Sequence, residues 1–320
     1  VKVLVTGAAG FLGSRLCEAL LEQGHRVHGL DVLDGQEPPA LHEARLEGAR
    51  QDRRFSFRQA DVTDGPLLLG EVRAFQPDAV LHLASRRDLT WAEDNPGACH
   101  RLHLDGALGV LHACRACNVP QALLGSSAHA CGASRAFPWR ESDPADRPLS
   151  HLGAAHRALE LAASVHALRS PVSVTVFRSF SLYGPRQAPR NLLPALAAAA
   201  ERGEPLPVHG DGTAGRDMLY VDDAVDGLMG LMARPAPWRL VNLASGETTT
   251  LGQVAEQVAF RMNARLKLRQ LPPRPGELPN AWADIGLLQA LLGFQPRVSL
   301  EDGLRRTIEW FRARPEAFRL

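Results

Sequence analysis

Residues 7–13 read Gly-Ala-Ala-Gly-Phe-Leu-Gly, and their flanks restrict the chain more than any other feature. Before them, Val1 to Thr6 is a short apolar run with β-branched residues, the pattern of a buried strand. After them, Phe11 to Gln23 is apolar at helical spacing and closes on Gly24. A strand that passes into a helix through glycines is suited to a pyrophosphate. Gly7 permits the tight turn, Gly10 lets backbone approach the phosphates, and Gly13 lets helix and strand pack closely. The amides and the positive helix end, with Phe11 and Leu12 in its first turn, then face the anion. Asp31 completes the pattern. It lies 18 residues after Gly13, at the end of a second strand from Arg26 to Asp31, where a carboxylate would take ribose hydroxyls. These residues predict a dinucleotide site.

The same carboxylate bears on which dinucleotide is used. Asp31 would repel a 2′-phosphate, which favours NAD(H), and no arginine follows between Val32 and Pro39. Arg15 and Arg53 remain within reach of a phosphate, so NAD or NADP is the expectation from sequence.

Strand-like runs recur at Ser56 to Ala60, Ala79 to Leu83, Gln121 to Ser126 and Val172 to Arg178. Helical runs fall between them, notably Leu102 to Cys117 and Gly153 to Leu168. Alternation at this spacing implies right-handed crossovers and a parallel sheet covered on both faces. The texture changes after Arg178, where Pro185, Pro189 and Pro194 interrupt the chain. A helix is predicted around Leu193 to Arg202, and Pro205 to Met218 reads as loop. Further helices are predicted near Asp222 to Ala233, Leu251 to Asn263 and Leu300 to Arg314, with a strand at Leu240 to Leu243. The division expected is a dinucleotide-binding domain over 1–178, with segments near 219–245 returning to it, and a mainly substrate-binding lobe over 179–320.

Composition excludes more than it selects. A net charge of +1 gives no pull toward nucleic acid or an anionic membrane, and no apolar run is long enough to span a bilayer. Residue 1 already reads as strand, leaving no room for a secretory signal, so a cytoplasmic protein is expected. The five cysteines are scattered, and the Cys114-x-x-Cys117 pair sits within a helical run, where it reads as a buried face. His82, His103, His112 and His129 share no helix face with carboxylates, and no metal site is expected. Asp222 and Asp223 read as N-terminal capping residues of a helix.

Further stretches carry a resemblance along residues 1–312. They are Ala60-Asp61-Val62, Leu81-His82-Leu83-Ala84-Ser85, Leu124-Gly125-Ser126-Ser127, Arg178 to Pro185, Gly210 to Thr213, Arg216 to Asp223, Arg274 to Glu277 and Leu292 to Pro296. With the glycine loop, they make the sequence similar to the extended short-chain dehydrogenase/reductases, the group of NAD-dependent epimerases and dehydratases. The resemblance implies a Rossmann-type α/β fold, a doubly wound parallel sheet with a smaller C-terminal substrate-binding lobe. It assigns Asp61 and Val62 to the adenine, and extends the cofactor contacts to Leu83, Ala84, Ser85, Ser126, Ser179 and Phe180. It also implies homodimer pairing through the helices at Leu102 to Cys117 and Gly153 to Leu168.

At the reaction centre the sequence departs from that family, which places a Ser or Thr after the fifth strand and a Tyr-x-x-x-Lys on the next helix. Ser127 keeps the first position, whereas the gapless segment Pro148 to Glu160 puts Leu152 at the tyrosine and His156 at the lysine. The chain's two tyrosines, Tyr183 and Tyr220, are followed four residues later by Gln187 and Ala224, so no Tyr-x-x-x-Lys exists. His103 and Cys131 replace two further family residues. Leu152 is expected to face the nicotinamide and can donate nothing. Ser127 is expected to hydrogen-bond a carbonyl oxygen, and His156 to act as proton donor or as a polar contact to ribose.

The rewritten centre resembles tailoring ketoreductases of antibiotic pathways. That implies NAD(P)H-dependent reduction of a polycyclic, angucyclinone-like aromatic polyketide ketone whose own phenol supplies the proton. Arg216 and Arg274 match diphosphate-binding positions and keep a nucleotide-sugar epimerase, dehydratase or reductase as the alternative. A catalytically inactive dinucleotide-binding regulator is the third reading. Leu192, Leu193, Met218 and Trp282 are candidates for an apolar pocket lining, or for core.

Overall fold

The computed structural model describes residues 1–33, 37–134, 137–265 and 267–315. The first half alternates strand and helix: β1 (Lys2–Thr6), α1 (Phe11–Glu22), β2 (Arg26–Asp31), α2 (Pro39–Arg50), β3 (Phe55–Gln59), α3 (Gly65–Phe75) and β4 (Ala79–His82). Two short helices, α4 (Leu89–Asp94) and α5 (Pro96–His100), precede α6 (Gly106–Ala116), β5 (Gln121–Ser127), α7 (His151–Arg169) and β6 (Ser173–Ser179).

The second half brings β7 (Ser181–Tyr183), α8 (Leu192–Arg202), β8 (Pro205–His209), β9 (Gly215–Arg216), β10 (Met218–Tyr220) and α9 (Val221–Met232). It closes with β11 (Trp238–Leu243), β12 (Thr249–Thr250), α10 (Leu251–Met262), β13 (Lys267–Leu271), α11 (Gly286–Leu292) and α12 (Leu300–Ala313).

Seven parallel strands form one sheet in the order β11-β6-β5-β4-β1-β2-β3. Burial on both faces explains why β1 reads as a continuous apolar run. Val3 and Val5 pack into the core toward α1 and α9, while Leu4 between them packs into the core toward α3 and α6. Strand order reverses direction between β1 and β4, and the crevice at the carboxyl ends of these strands is where such sheets take ligands. This is the Rossmann-type α/β sheet with a smaller C-terminal region.

Residues 221–243 return to the sheet. The face of α9 packs on α1's core, and β11 runs beside β6 from Trp238↔Val174 to Leu243↔Ser179. Beyond the sheet, α8, α10 and α12 enclose a second core that includes Tyr183, Leu196, Val254, Val258 and Leu304. Leu193, with Leu192 and Met218 at its margin, packs into this core, so of the four candidate pocket residues only Trp282 stands elsewhere. The stretch predicted as loop, Pro205 to Met218, contains β8, β9 and β10. β8 exists because β13 lies alongside it in register Pro205↔Lys267, a partner remote in sequence and invisible to local pattern.

The aspartates of α9 do not cap it. Asp222 Oδ1 accepts from Arg15 Nε at 2.7 Å, and Asp223 accepts from the amides of Arg297 and Val298 at 3.1 Å. Both tie the helix to distant segments. Asp217 acts similarly. Its buried carboxylate accepts from Ser245 N and Oγ, Gly246 N and Ala283 N, which fixes the loop after β11 against the lobe.

No helix among the described residues is long and apolar enough to cross a membrane. Cys114 lies in the core between α6 and the sheet, where burial pushes its thiol up to about 12.

Candidate active site

The glycine loop is built around one enforced approach. Gly7 has φ +71°, and a Cβ there would lie 2.7 Å from Leu83 C and Ala84 N, so the loop rests directly on the chain leaving β4. A Cβ on Gly13 would lie 2.0 Å from Gly7 O, which is the close helix–strand packing its position predicts. Gly10 is the N-cap of α1, which has no side-chain cap and no acid in its first turn, so its amides stay available to an anion. Phe11 and Leu12 turn their side chains into the two cores and leave only backbone to the loop.

Asp31 is coupled to this loop. Its Oδ2 accepts from Ala9 N at 2.8 Å and its Oδ1 from Leu33 N at 3.2 Å. Burial raises its pKa, against the lowering effect of these amides. Ala9 is gripped from its other side as well, because Arg45 Nη1 donates to Ala9 O at 3.1 Å.

The remaining sequence candidates divide by what their side chains already hold. Asp61 is exposed, and its Oδ1 accepts from Thr63 N and Oγ1 at 2.8 Å, while Val62 is buried beside Gly106. Leu83 N and Ala84 N both point to Thr6 Oγ1, at 3.2 and 3.3 Å, and Thr6 Oγ1 lies 2.8 Å from His82 Nδ1. Ser85 is exposed just beyond them. Ser126 Oγ is turned under the sheet, donating to Glu160 Oε1 at 2.8 Å in a buried pair that also joins Arg178 to Glu160. Ser179 Oγ donates to Ser126 O at 3.0 Å, and Phe180 is buried beside Trp139. A loop that a Cβ would fill, free first-turn amides and a carboxylate at the end of β2 fit a dinucleotide. Gly7, Gly10, Phe11, Leu12, Gly13 and Asp31 would hold it, by backbone except for Asp31.

At the reaction centre Ser127 ends β5, directly across from Ser179 in β6. Its Oγ lies 3.1 Å from His129 Nδ1 and caps the short 3₁₀ turn Ala128–Cys131. His129 was missed in the sequence as Ser127's partner. The cue was its place two residues on, where a strand end turns into a cap.

His156 packs ring to ring with His103, their centroids 4.4 Å apart, and neither of its ring nitrogens has a partner among the described residues. His103 comes from a single wide turn, Arg101–Asp105, a π-helical insertion ahead of α6. Burial pulls His82, His103 and His129 down to about 4, and burial with the neighbouring His103 and Arg87 holds His156 well below the ordinary value. At neutral pH His156 is therefore a neutral imidazole. It can hydrogen-bond, but it carries no ionisable proton to give as imidazolium.

Leu152 differs from expectation. It has 0% exposure and packs with Ala92, Cys99 and Ala155, so it joins α7 to α4 and α5 and presents no surface to a nicotinamide. The family tyrosine's position is closed by packing as well as lacking a hydroxyl.

Arg216, the candidate diphosphate contact, is engaged by the protein itself. Its guanidinium donates to Leu278 O at 2.9 Å and Gly215 O at 3.0 Å, with Glu277 Oε1 at 3.4 Å. Trp282 is half-buried and stacks on Phe137 at 4.3 Å between ring centroids, and Phe137 stacks in turn on Trp139. Among the described residues, no cluster of three or more His, Cys, Asp or Glu could hold a metal ion.

The fold has counterparts in known proteins. A solved UDP-glucuronic acid 4-epimerase from Bacillus cereus, in complex with UDP-glucuronic acid and NAD, superposes with a TM-score of 0.91 at 26% identity, covering 98% of this chain and 99% of that one. DesIV, a dTDP-glucose 4,6-dehydratase from Streptomyces venezuelae with NAD bound, gives a TM-score of 0.90 at 26% identity over 99% and 98%. By sequence, the UDP-glucose 4-epimerase of Mycolicibacterium smegmatis is 30% identical over 98% of this chain and 99% of its own. The probable UDP-glucuronate 4-epimerase of Rhizobium meliloti (strain 1021) is 29% identical over 97% of each. The model of the NAD dependent epimerase/dehydratase family matches residues 3–244. With its glycine loop, its seven-stranded order and this full-length likeness, the chain belongs to the NAD-dependent epimerase/dehydratase family.

Proposed function

We propose that the protein is an NAD(P)H-dependent ketoreductase that reduces the carbonyl of a planar aromatic, polyketide-like substrate, with the proton drawn from the substrate itself. The observation that carries this reading is the closed, aliphatic Leu152 at the family's acid position, next to a neutral His156. The dinucleotide, when bound, supplies hydride. The chain's own groups do the rest: the loop amides hold the pyrophosphate, Asp31 takes ribose, and Ser127 Oγ donates to the carbonyl oxygen. His156, whose ring nitrogens have no partner among the described residues, serves as a neutral hydrogen-bonding contact.

A missing general acid costs about 10²- to 10⁴-fold in rate. A phenol adjacent to the ketone offsets this by acting intramolecularly at high effective concentration. The stacked Phe137 and Trp282 offer an aromatic surface suited to a planar ring system. The test is NADH oxidation with 2′-hydroxyacetophenone against acetophenone. Turnover confined to the hydroxylated ketone is expected, and equal rates would remove the substrate-derived proton.

The second reading is a nucleotide-sugar epimerase or dehydratase, and the likeness to known proteins supports it better than the first. The full-length relatives are UDP-glucose and UDP-glucuronate epimerases and a dTDP-glucose dehydratase, with no polyketide ketoreductase among those described above. Conversion of UDP-glucuronate by the protein, with no NADH oxidation by ketones, would establish it in place of the first.

A further inference from the structure

Arg87 follows β4 and reaches across the carboxyl edge of the sheet, where its Nη2 donates to Ser179 Oγ. Ser179 is paired in register with Ser127, so this cation stands one strand spacing from the proposed carbonyl contact. Around it lie His103, His129 and His156, all of which feel its charge and all held neutral by burial. Among the described residues, no carboxylate pairs with Arg87. The adjacent acid, Asp88, instead faces Arg86 and Arg190, each at 3.9 Å, and caps α4 by accepting from Trp91 N at 3.0 Å. Arg87 is exposed to solvent, and the protein packed around its guanidinium still lowers its pKa.

An arginine without a counterion, anchored by one hydroxyl and ringed by uncharged histidines, has four N–H donors left for an anion. We infer that Arg87 and Ser179 form an oxyanion-binding subsite, which receives a phenolate or developing alkoxide oxygen of the substrate. This supplies the positive charge that the family's lysine would have brought, from the segment between β4 and α4 in place of α7. It rests on the reading of this cleft as the seat of carbonyl reduction and extends it to the substrate class: a ketone that carries, or becomes, an oxyanion.

The probe is 4-nitrophenolate, its binding followed by absorbance with NAD⁺ present, for the wild type, Arg87→Lys and Arg87→Met. Arg87→Met is expected to weaken binding about tenfold or more, as loss of a charge-assisted contact does, with Arg87→Lys between. Guanidinium ion added to Arg87→Ala should recover part of the affinity, which a merely structural arginine would not allow. Equal affinity in Arg87→Met, or no binding by the wild type, overturns the inference. So does Arg87-dependent binding of UDP tighter than that of the phenolate. NADH oxidation with 2′-hydroxyacetophenone is measured in parallel. Its absence with phenolate binding intact would remove the reductase reading and leave the subsite standing.

Discussion

Reinstalling the family's acid pair should fail, and the structure gives the size of the failure. In Leu152→Tyr, a ring and a hydroxyl must enter a fully enclosed cluster with Ala92, Cys99 and Ala155. Overpacking costs about 1–3 kcal/mol, and a buried hydroxyl without a partner adds about 1–3 kcal/mol. His156→Lys is worse, because the described groups whose charge reaches it are His103, Arg87, His129 and His82, with no carboxylate among them. A lysine forced to stay neutral at pH 7, against an unfolded value near 10.4, costs roughly 4–5 kcal/mol. The two together approach the whole stability of a typical domain, about 5–15 kcal/mol.

Thermal melts by circular dichroism, with NADH binding by fluorescence, report the outcome. Leu152→Tyr alone is expected to melt roughly 5 °C or more below the wild type, and to turn over no faster. The double variant is expected to be largely unfolded. A double variant with an unchanged melting point and faster ketone reduction would refute the argument, because position 152 would then open onto the cleft.

Three further outcomes follow from the same structure. Gly13→Ala would place a Cβ 2.0 Å from Gly7 O and should abolish NADH binding, whereas Gly65→Ala, where nothing lies within 4 Å, should leave it intact. The buried histidines make stability acid-sensitive. Because His82, His103 and His129 fall from 6.5 to about 4 on folding, stability is full above pH 6.5 and drops as pH falls toward 4. The slope approaches about 1.4 kcal/mol per pH unit for each, and urea titrations between pH 7.5 and 4.5 that show a constant midpoint would contradict it. Finally, Leu161, Val165 and Leu168 form a stripe on α7 that is 52%, 58% and 84% exposed, with Leu108 of α6 at 40%. Light scattering is expected to find a dimer that Leu168→Glu converts to monomer, and a monomeric wild type would remove that surface from consideration.

The local sequence was enough for whatever depends on local backbone and periodicity. The turn at Gly7, the closeness at Gly13, the end of β2 at Asp31 and the alternation of strands and helices all follow from residues adjacent in the chain. The absence of a Tyr-x-x-x-Lys is also a fact of the sequence alone. What Leu152 does instead was not legible there. An aliphatic residue in a helix carries no mark of whether it faces a ligand or a neighbouring helix.

Tertiary packing decided the rest, because it joins residues whose separation no pattern encodes. β8 exists through β13, and Asp222 and Asp223 serve Arg15 and the segment at Arg297 in place of their own helix. His103 meets His156 through a wide turn, and neutrality comes from the burial around both. Arg87 gains its meaning from a missing partner, since Asp88 beside it is turned to other cations. Charge in a protein is set by what surrounds a group in space, and chain order supplies only part of that surrounding.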